Sequence, residues 1–194
     1  MQGTVWVVAG APGAGKTTVA GLLSARLSPP AALIDKDTVY GGFVAATLAA
    51  AGRPNSEREG SWYDDNIKIH EYAGLAALTR EVRANGCPVI LVAPFTQAIR
   101  SIPEWTRFTD ALGGDPIRLV WVGIPAAELR RRLVARDSSR DTAKLDAFDE
   151  FVTRMRPDEP PPVPHIAVLN SGTVADLEAN LRRGLSVAAD VGSG

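Results

Sequence analysis

The chain has 194 residues, a formal net charge of -1, 45% hydrophobic residues and 22% charged residues. That length suits one domain with a full core, and that composition excludes a disordered chain. The charge balance lacks the basic excess of a protein that tracks a nucleic-acid backbone, so no nucleic-acid partner is expected.

Residues 4–9 (TVWVVA) form a short apolar, β-branched run ending in glycine, the pattern of a buried strand. Apolar residues then recur at Val19, Leu22, Leu23 and Leu27, which predicts a helix over 16–27, stopped by Ser28-Pro29-Pro30. Between strand and helix lies Gly10-Ala11-Pro12-Gly13-Ala14-Gly15-Lys16-Thr17, which fits G-x-x-x-x-G-K-[ST] at every defined position. Glycines without a Cβ let the loop turn its N–H groups inward around a phosphate. The helix that follows adds the positive end of its dipole. Lys16 supplies a mobile positive charge to the β- and γ-phosphates, Thr17 offers a hydroxyl to Mg²⁺, and Thr18 is placed to touch phosphate as well.

A second apolar run, 31–34, ends at Asp35-Lys36-Asp37, and residues 38–51 read as an alanine-rich helix. In open α/β sheets the C-terminal strand edge is where ligands bind. One carboxylate there can position and deprotonate an acceptor hydroxyl, and another can hold the waters of a Mg²⁺ ion. The competing expectation is that Asp37 caps the following helix. Residues 52–60 are polar and read as a loop, and helical spacing covers 63–84. Asp64 and Asp65 read as first-turn acids that suit the helix dipole.

The lone cysteine, Cys87, excludes an intramolecular disulfide and reads as a packed thiol at the start of a third strand, 88–93. That strand runs into Pro94-Phe95-Thr96 without the carboxylate that many P-loop ATPases place there. Thr96, Gln97 and Arg100 lie just past it, where an acceptor could be met. A helix over 97–112, broken at Pro103, a fourth strand over 117–122 and a helix over 125–137 follow, the last with Pro125 suited to its first turn. This helix and the polar stretch after it carry the densest charge in the chain, with Arg130, Arg131, Arg132, Arg136 and Arg140. Arg132 and Arg136 are four apart and share one helix face. A helix over 145–155, an extended connection with five prolines over 156–164, a fifth strand over 166–169 and a last helix over 174–189 complete the chain. His70 and His165 have no companions at metal-ligand spacing.

Strands that alternate with helices, each an unbroken apolar run, mean a parallel sheet covered on both faces. A single domain over 1–189 is expected, with a lid near 137–145 and a flexible tail over 190–194. The N-terminus has no basic n-region and no cleavage site, and the longest apolar stretch, 41–52, is too short to cross a bilayer. Cytoplasmic localisation and no membrane partner are therefore expected.

The P-loop, the Asp-x-Asp after the second strand and the arginine-rich segment together resemble the small-molecule kinase branch of the P-loop proteins. That branch includes shikimate, gluconate and adenylyl-sulfate kinases, chloramphenicol phosphotransferase, zeta-toxin-like kinases and uncharacterised AAA-type kinase-like ATP-binding proteins. The resemblance implies a P-loop NTPase fold, a three-layer α/β/α sandwich with a five-stranded parallel sheet and an arginine-rich lid. It implies ATP and Mg²⁺ as cofactors, a small-molecule acceptor and a monomer or homodimer. By that match Asp37 is the base and acceptor anchor, and Asp35 a water-mediated Mg²⁺ partner beside Thr17. Arg132 stacks on the adenine, and Arg136 and Arg140 belong to the lid that reaches the phosphates. The loop at Asn170-Ser171-Gly172 would pass under the adenine and contact it through its backbone, an N-cap of the last helix by Ser171 or Thr173 being an equally good account of these residues. Within the same fold, a nucleotide, nucleoside or sugar-nucleotide kinase and a regulatory ATPase without an acceptor are the competing readings.

Overall fold

The computed structural model describes the backbone of residues 2–191 and the side chains of residues 2–188 apart from Arg140. Five parallel strands form the sheet: β1 (Val5–Ala9), β2 (Ala32–Asp35), β3 (Val89–Val92), β4 (Ile117–Gly123) and β5 (Ile166–Leu169). Their order is β2-β3-β1-β4-β5, so the strand feeding the P-loop is the central one. In-register pairs run Val7 with Leu91 on one side and Val7 with Leu119 on the other.

Alternation along each strand sends side chains to two separate cores. Val8, Ile90, Val92, Val120 and Val122 face a cluster built with α1 (Lys16–Ser24), α7 (Ala126–Arg136), α9 (Phe148–Met155) and α10 (Val174–Val191). Val5, Val7, Leu91, Leu119 and Trp121 face the other side, against α4 (Ile69–Ala84), α5 (Thr96–Ile99) and α6 (Ile102–Ala111). The central strands β3, β1 and β4 carry no polar face because both of their faces are covered, while the edge strands leave Leu33 and Leu169 about half exposed. The architecture is the expected three-layer α/β/α sandwich. A smaller third cluster joins α2 (Lys36–Ala50) to Tyr63 and Ile67 through Val44 and Leu48.

Several boundaries differ from the periodicity, each for a local reason. α2 starts at Lys36 because Asp35, not Asp37, caps it: the Asp35 carboxylate accepts from the N–H groups of Asp37 and Thr38 at 2.9 and 3.4 Å. The predicted helix over 97–112 splits ahead of Pro103, because Ser101 caps α6 by accepting from the N–H of Glu104, and Pro103 sits in its first turn. The segment over 63–84 begins with a short turn, α3 (Ser61–Tyr63), and then a π-turn over Asp64–Lys68 that runs straight into α4. The predicted helix over 145–155 is two pieces, α8 (Thr142–Asp146) and α9, broken at Ala147. α10 continues through Asp190 to Val191, while residues 192–194 of the expected tail lie outside the described residues. Cys87 is half-buried just ahead of β3, its thiol 3.4 Å from the carbonyl of Pro88.

Arg83, at the end of α4, is fully buried at the N-terminal edge of the sheet. Its guanidinium donates to the carbonyls of Gly3, Leu112 and Gly114 at 3.1, 2.9 and 2.5 Å, tying three chain segments together away from the candidate site. Among the described residues no helix is long and apolar enough to cross a membrane.

Candidate functional site

The P-loop connects the C-terminal end of β1 to the first turn of α1. Gly15 is the N-cap of α1, at φ 96° in the left-handed region, and a Cβ there would lie 2.3 Å from the Asn170 amide nitrogen. Only glycine meets both demands. Gly13 is also left-handed, and a Cβ on it would press Leu129 and Leu133 of α7 at 2.9 Å. Gly10 donates its N–H to the Pro94 carbonyl at 3.3 Å, and half-buried Pro12 completes the outer arch. Ala11 and Ala14 are buried, and the carbonyl of Ala11 accepts from the N–H of Ala14 at 3.0 Å, which curls the loop.

Lys16 is half-buried and donates to the Ala11 carbonyl at 3.0 Å, so the ammonium folds back over its own loop. Burial lowers it to about 8; Asp37 and then Asp35 oppose that shift, while Arg136 and Lys36 add to it. Two carboxylates and two further cations therefore act on one lysine. Thr17 donates its hydroxyl to Asp35 at 3.1 Å, and Thr18 is exposed on the same turn. Asp35 uses one oxygen to cap α2 and the other to receive Thr17. Asp37 is half-exposed at the start of α2, with the Lys36 ammonium 3.4 Å away.

Mg²⁺ is a hard cation that keeps several waters and takes one or two protein oxygens plus phosphate oxygens. The Thr17 hydroxyl and Asp35 carboxylate fit that requirement. Among the described residues no cluster of three or more His, Cys, Asp or Glu could hold a metal on its own.

On the other side of the P-loop, the arginines of α7 separate into distinct roles. Arg131 lies outermost and pairs with Glu128, while the Arg130 guanidinium sits over the Phe148 ring at 5.2 Å. Arg132 faces the P-loop: it donates to Glu128 at 2.7 Å and to the Asn170 side-chain oxygen at 3.0 Å, next to Gly15. Bonds from Arg131 and Arg132 hold the Glu128 carboxyl down at about 2. Asn170 is buried and donates its amide to the Ala14 carbonyl at 2.7 Å. Beyond the backbone contact expected of this loop, its side chain fastens the P-loop to the end of β5. Arg136 donates to the buried Asp141 at 2.7 Å, and Lys144 reaches the other oxygen of that carboxylate at 3.3 Å. Arg140 lies in the short 3₁₀ turn over Ser139–Asp141, and its side chain is outside the described residues.

Arg100, considered above as an acceptor contact, is committed elsewhere. It donates to the carbonyls of Glu159, Met155 and Arg156 at 2.7, 3.2 and 2.6 Å and so closes the end of α9. Thr96 likewise points to the sulfur of Met155 at 3.5 Å. His165 meets the Val163 carbonyl and the edge of Trp121.

The reading from sequence misses a buried group beside Asp37. Glu71, 2% exposed, accepts from Lys36 at 2.8 Å through one oxygen and from the Tyr63 hydroxyl at 2.7 Å through the other. The sequence signals only its burial: Glu71 stands between Ile67 and Leu75 on the apolar stripe of the helix, where a carboxylate must have partners, but it does not name them.

A family model described as an AAA domain matches residues 5–158. No curated protein sequence matches the chain. Among solved structures, an unliganded sugar kinase from Janibacter sp. HTCC2649 superposes with a TM-score of 0.62 at 18% identity, covering 98% of each chain. A gluconokinase from Sinorhizobium meliloti 1021 gives 0.61 at 19%, covering 97% of this chain and 94% of that one. The Mycobacterium tuberculosis APS kinase, in complex with AMPPNP and APS, gives 0.56 at 19%, covering 95% and 98%. At these identities the likeness establishes a shared fold.

Proposed function

Because the chain belongs to the AAA domain family of P-loop proteins and has the fold shared by several small-molecule kinases, we propose that it is an ATP- and Mg²⁺-dependent kinase. It transfers the γ-phosphoryl group to a hydroxyl of a small molecule. The observation that carries this reading is the hydrogen bond from Thr17 of the P-loop to Asp35, which joins the loop of Lys16 to the helix start that bears Asp37. A phosphate anchor, a pair of oxygens suited to Mg²⁺ and a second carboxylate thus share one end of the sheet.

In the proposed mechanism Lys16 leaves the Ala11 carbonyl for the triphosphate, and the loop N–H groups and the start of α1 hold its charge. Thr17, and Asp35 through a water, would hold a Mg²⁺ ion, which would supply positive charge against the phosphates. Asp37 orients the acceptor hydroxyl and takes its proton as the oxygen bonds to the γ-phosphorus and the bond to the β,γ-bridging oxygen breaks. ADP leaves. Arg136, steadied by Asp141, and Arg140 supply positive charge to the transferred group, and Arg132 presents its guanidinium plane to the base.

The test is ADP release with Mg²⁺-ATP across a panel of metabolites and antibiotics, with Lys16→Ala as the control. Acceptor-dependent release that vanishes in the control is the expected result. Tight ATP binding with only slow, acceptor-independent hydrolysis would replace this reading with that of a regulatory ATPase. Once an acceptor is found, Asp37→Asn should lower turnover by roughly 10²–10⁴ while ATP binding survives; unchanged turnover would remove Asp37 from the chemistry.

A further inference from the structure

The Lys36–Glu71–Tyr63 group has no part in the mechanism above, yet it is a buried charged cluster in direct contact with Asp37. Lys36 and Glu71 are 9% and 2% exposed, and Tyr63 is 4% exposed. Taking two charges out of water is costly, and well-packed apolar residues in their place are often equally stable or more so. Stability alone therefore does not account for the pair. Its location is informative: Lys36 lies between Asp35 and Asp37, and its ammonium is 2.8 Å from Glu71 and 3.4 Å from Asp37.

The backbone around Tyr63 has an irregularity that serves this contact. Tyr63 and Glu71 are eight residues apart. Along a straight α-helix eight residues advance about 800°, about 80° beyond two full turns, so the two side chains would point apart. The π-turn over Asp64–Lys68 absorbs one extra residue. The effective advance then falls to about 700°, about 20° short of two turns, and both residues share a face. The hydroxyl of Tyr63 thereby reaches the Glu71 oxygen that Lys36 leaves open. Burial and the adjacent Glu71 carboxylate push the Tyr63 phenol up, which keeps it protonated and donating.

We propose that Tyr63, Glu71 and Lys36 are positioning residues that fix the Asp37 side chain for phosphoryl transfer, and that the π-turn exists to bring Tyr63 onto Glu71. Tyr63 orients the Glu71 carboxylate, Glu71 holds the Lys36 ammonium, and Lys36 holds Asp37. The proposal rests on the reading of Asp37 as the residue that orients the attacking oxygen.

Glu71→Gln keeps the volume and removes the charge, and Tyr63→Phe removes a single hydroxyl. The probe is Mg²⁺-ATP with water as the attacking group, followed as ADP release over hours, so no knowledge of the natural acceptor is needed. Both variants should bind Mg²⁺-ATP within about twofold of the parent by calorimetry and release ADP roughly tenfold or more slowly, as small misplacements near a reacting centre do. In an Asp37→Asn background, Glu71→Gln should cause no further loss, because residues acting through one group are not additive. A full additive loss, or parent-like rates in both variants while Asp37→Asn is impaired, would overturn the positioning role and leave the kinase reading standing. Parent-like release from Asp37→Asn itself would remove the role of Asp37 and this proposal with it. A crystal structure of Glu71→Gln decides the geometry separately. Displacement of the Lys36 ammonium to more than about 4 Å from Asp37, beyond ion-pair range, is expected; a retained contact overturns the proposal.

Discussion

Opposing influences set the charge of Lys16. Burial lowers it to about 8, against the pull of Asp37 and Asp35. A triphosphate favours the protonated amine, so on the proposed reading ATP affinity falls as pH rises through about 8, by at most about tenfold per pH unit. Above that pH, binding should draw a proton from the buffer. Calorimetry between pH 7 and 9.5 in buffers of different ionisation enthalpy checks both effects, and a flat affinity would show that Lys16 is already charged throughout. The same depression has a sign for folding. Between about 8 and the ordinary lysine value of 10.5 the unfolded chain holds a proton on this lysine that the folded chain has lost, so this group adds stability as pH rises across that window. Lys16 and the glycines were legible in the sequence because the motif is contiguous and each residue acts through local backbone geometry. Glu71 was not, because its meaning depends on Lys36, distant in the chain, and on a π-turn that no periodicity announces.

The elements that carry the site are held by single side chains at their ends. Asn170 bridges the end of β5 to the P-loop, giving its amide to Ala14 and its oxygen to Arg132. Asn170→Ala should cost about 1–3 kcal/mol of stability, since it takes the amide from the Ala14 carbonyl and leaves Arg132 with Glu128 alone of its two acceptors. Asn170→Asp should weaken ATP binding more than Asn170→Ala does, because it sets a carboxylate against the Ala14 carbonyl beside an anion site. Denaturant unfolding and ATP titration of the two variants test this order; equal affinities would mean that the bridge does not govern the loop. Element type was readable wherever an apolar run was continuous, as in β1, β3 and β4. Ends were misread wherever a cap decided them. Asp35 and Ser101 start helices through side-chain bonds to backbone N–H groups, and such bonds can be offered by either of two neighbouring polar residues until the chain has folded.

At the scale of the whole molecule, nucleotide binding and folding are linked. A ligand held only by the native state at a hundred times its Kd adds about 2.7 kcal/mol. For a domain of this size that corresponds to a rise in Tm of roughly 5–10 °C. Scanning calorimetry with Mg²⁺-ATP should show that rise in the parent and none in Lys16→Ala at the same concentration; a shift retained in the variant would place the nucleotide elsewhere. The sandwich itself was foreseeable, because alternating buried strands and amphipathic helices leave few other layer arrangements. The strand order has a consequence for divergence. With β1 central in β2-β3-β1-β4-β5, Asp35 and Asp37 stand on one flank of the P-loop, and Arg132, Asn170 and β5 on the other. The loop over 52–60 and the turn around Tyr63 belong to the first flank, through Arg58 on the Gly41 carbonyl and Tyr63 against Val44 and Leu48. On the proposed reading, changes in the loop over 52–60 fall on the flank of Asp37 and leave the contacts of Arg132 and Asn170 with the P-loop untouched.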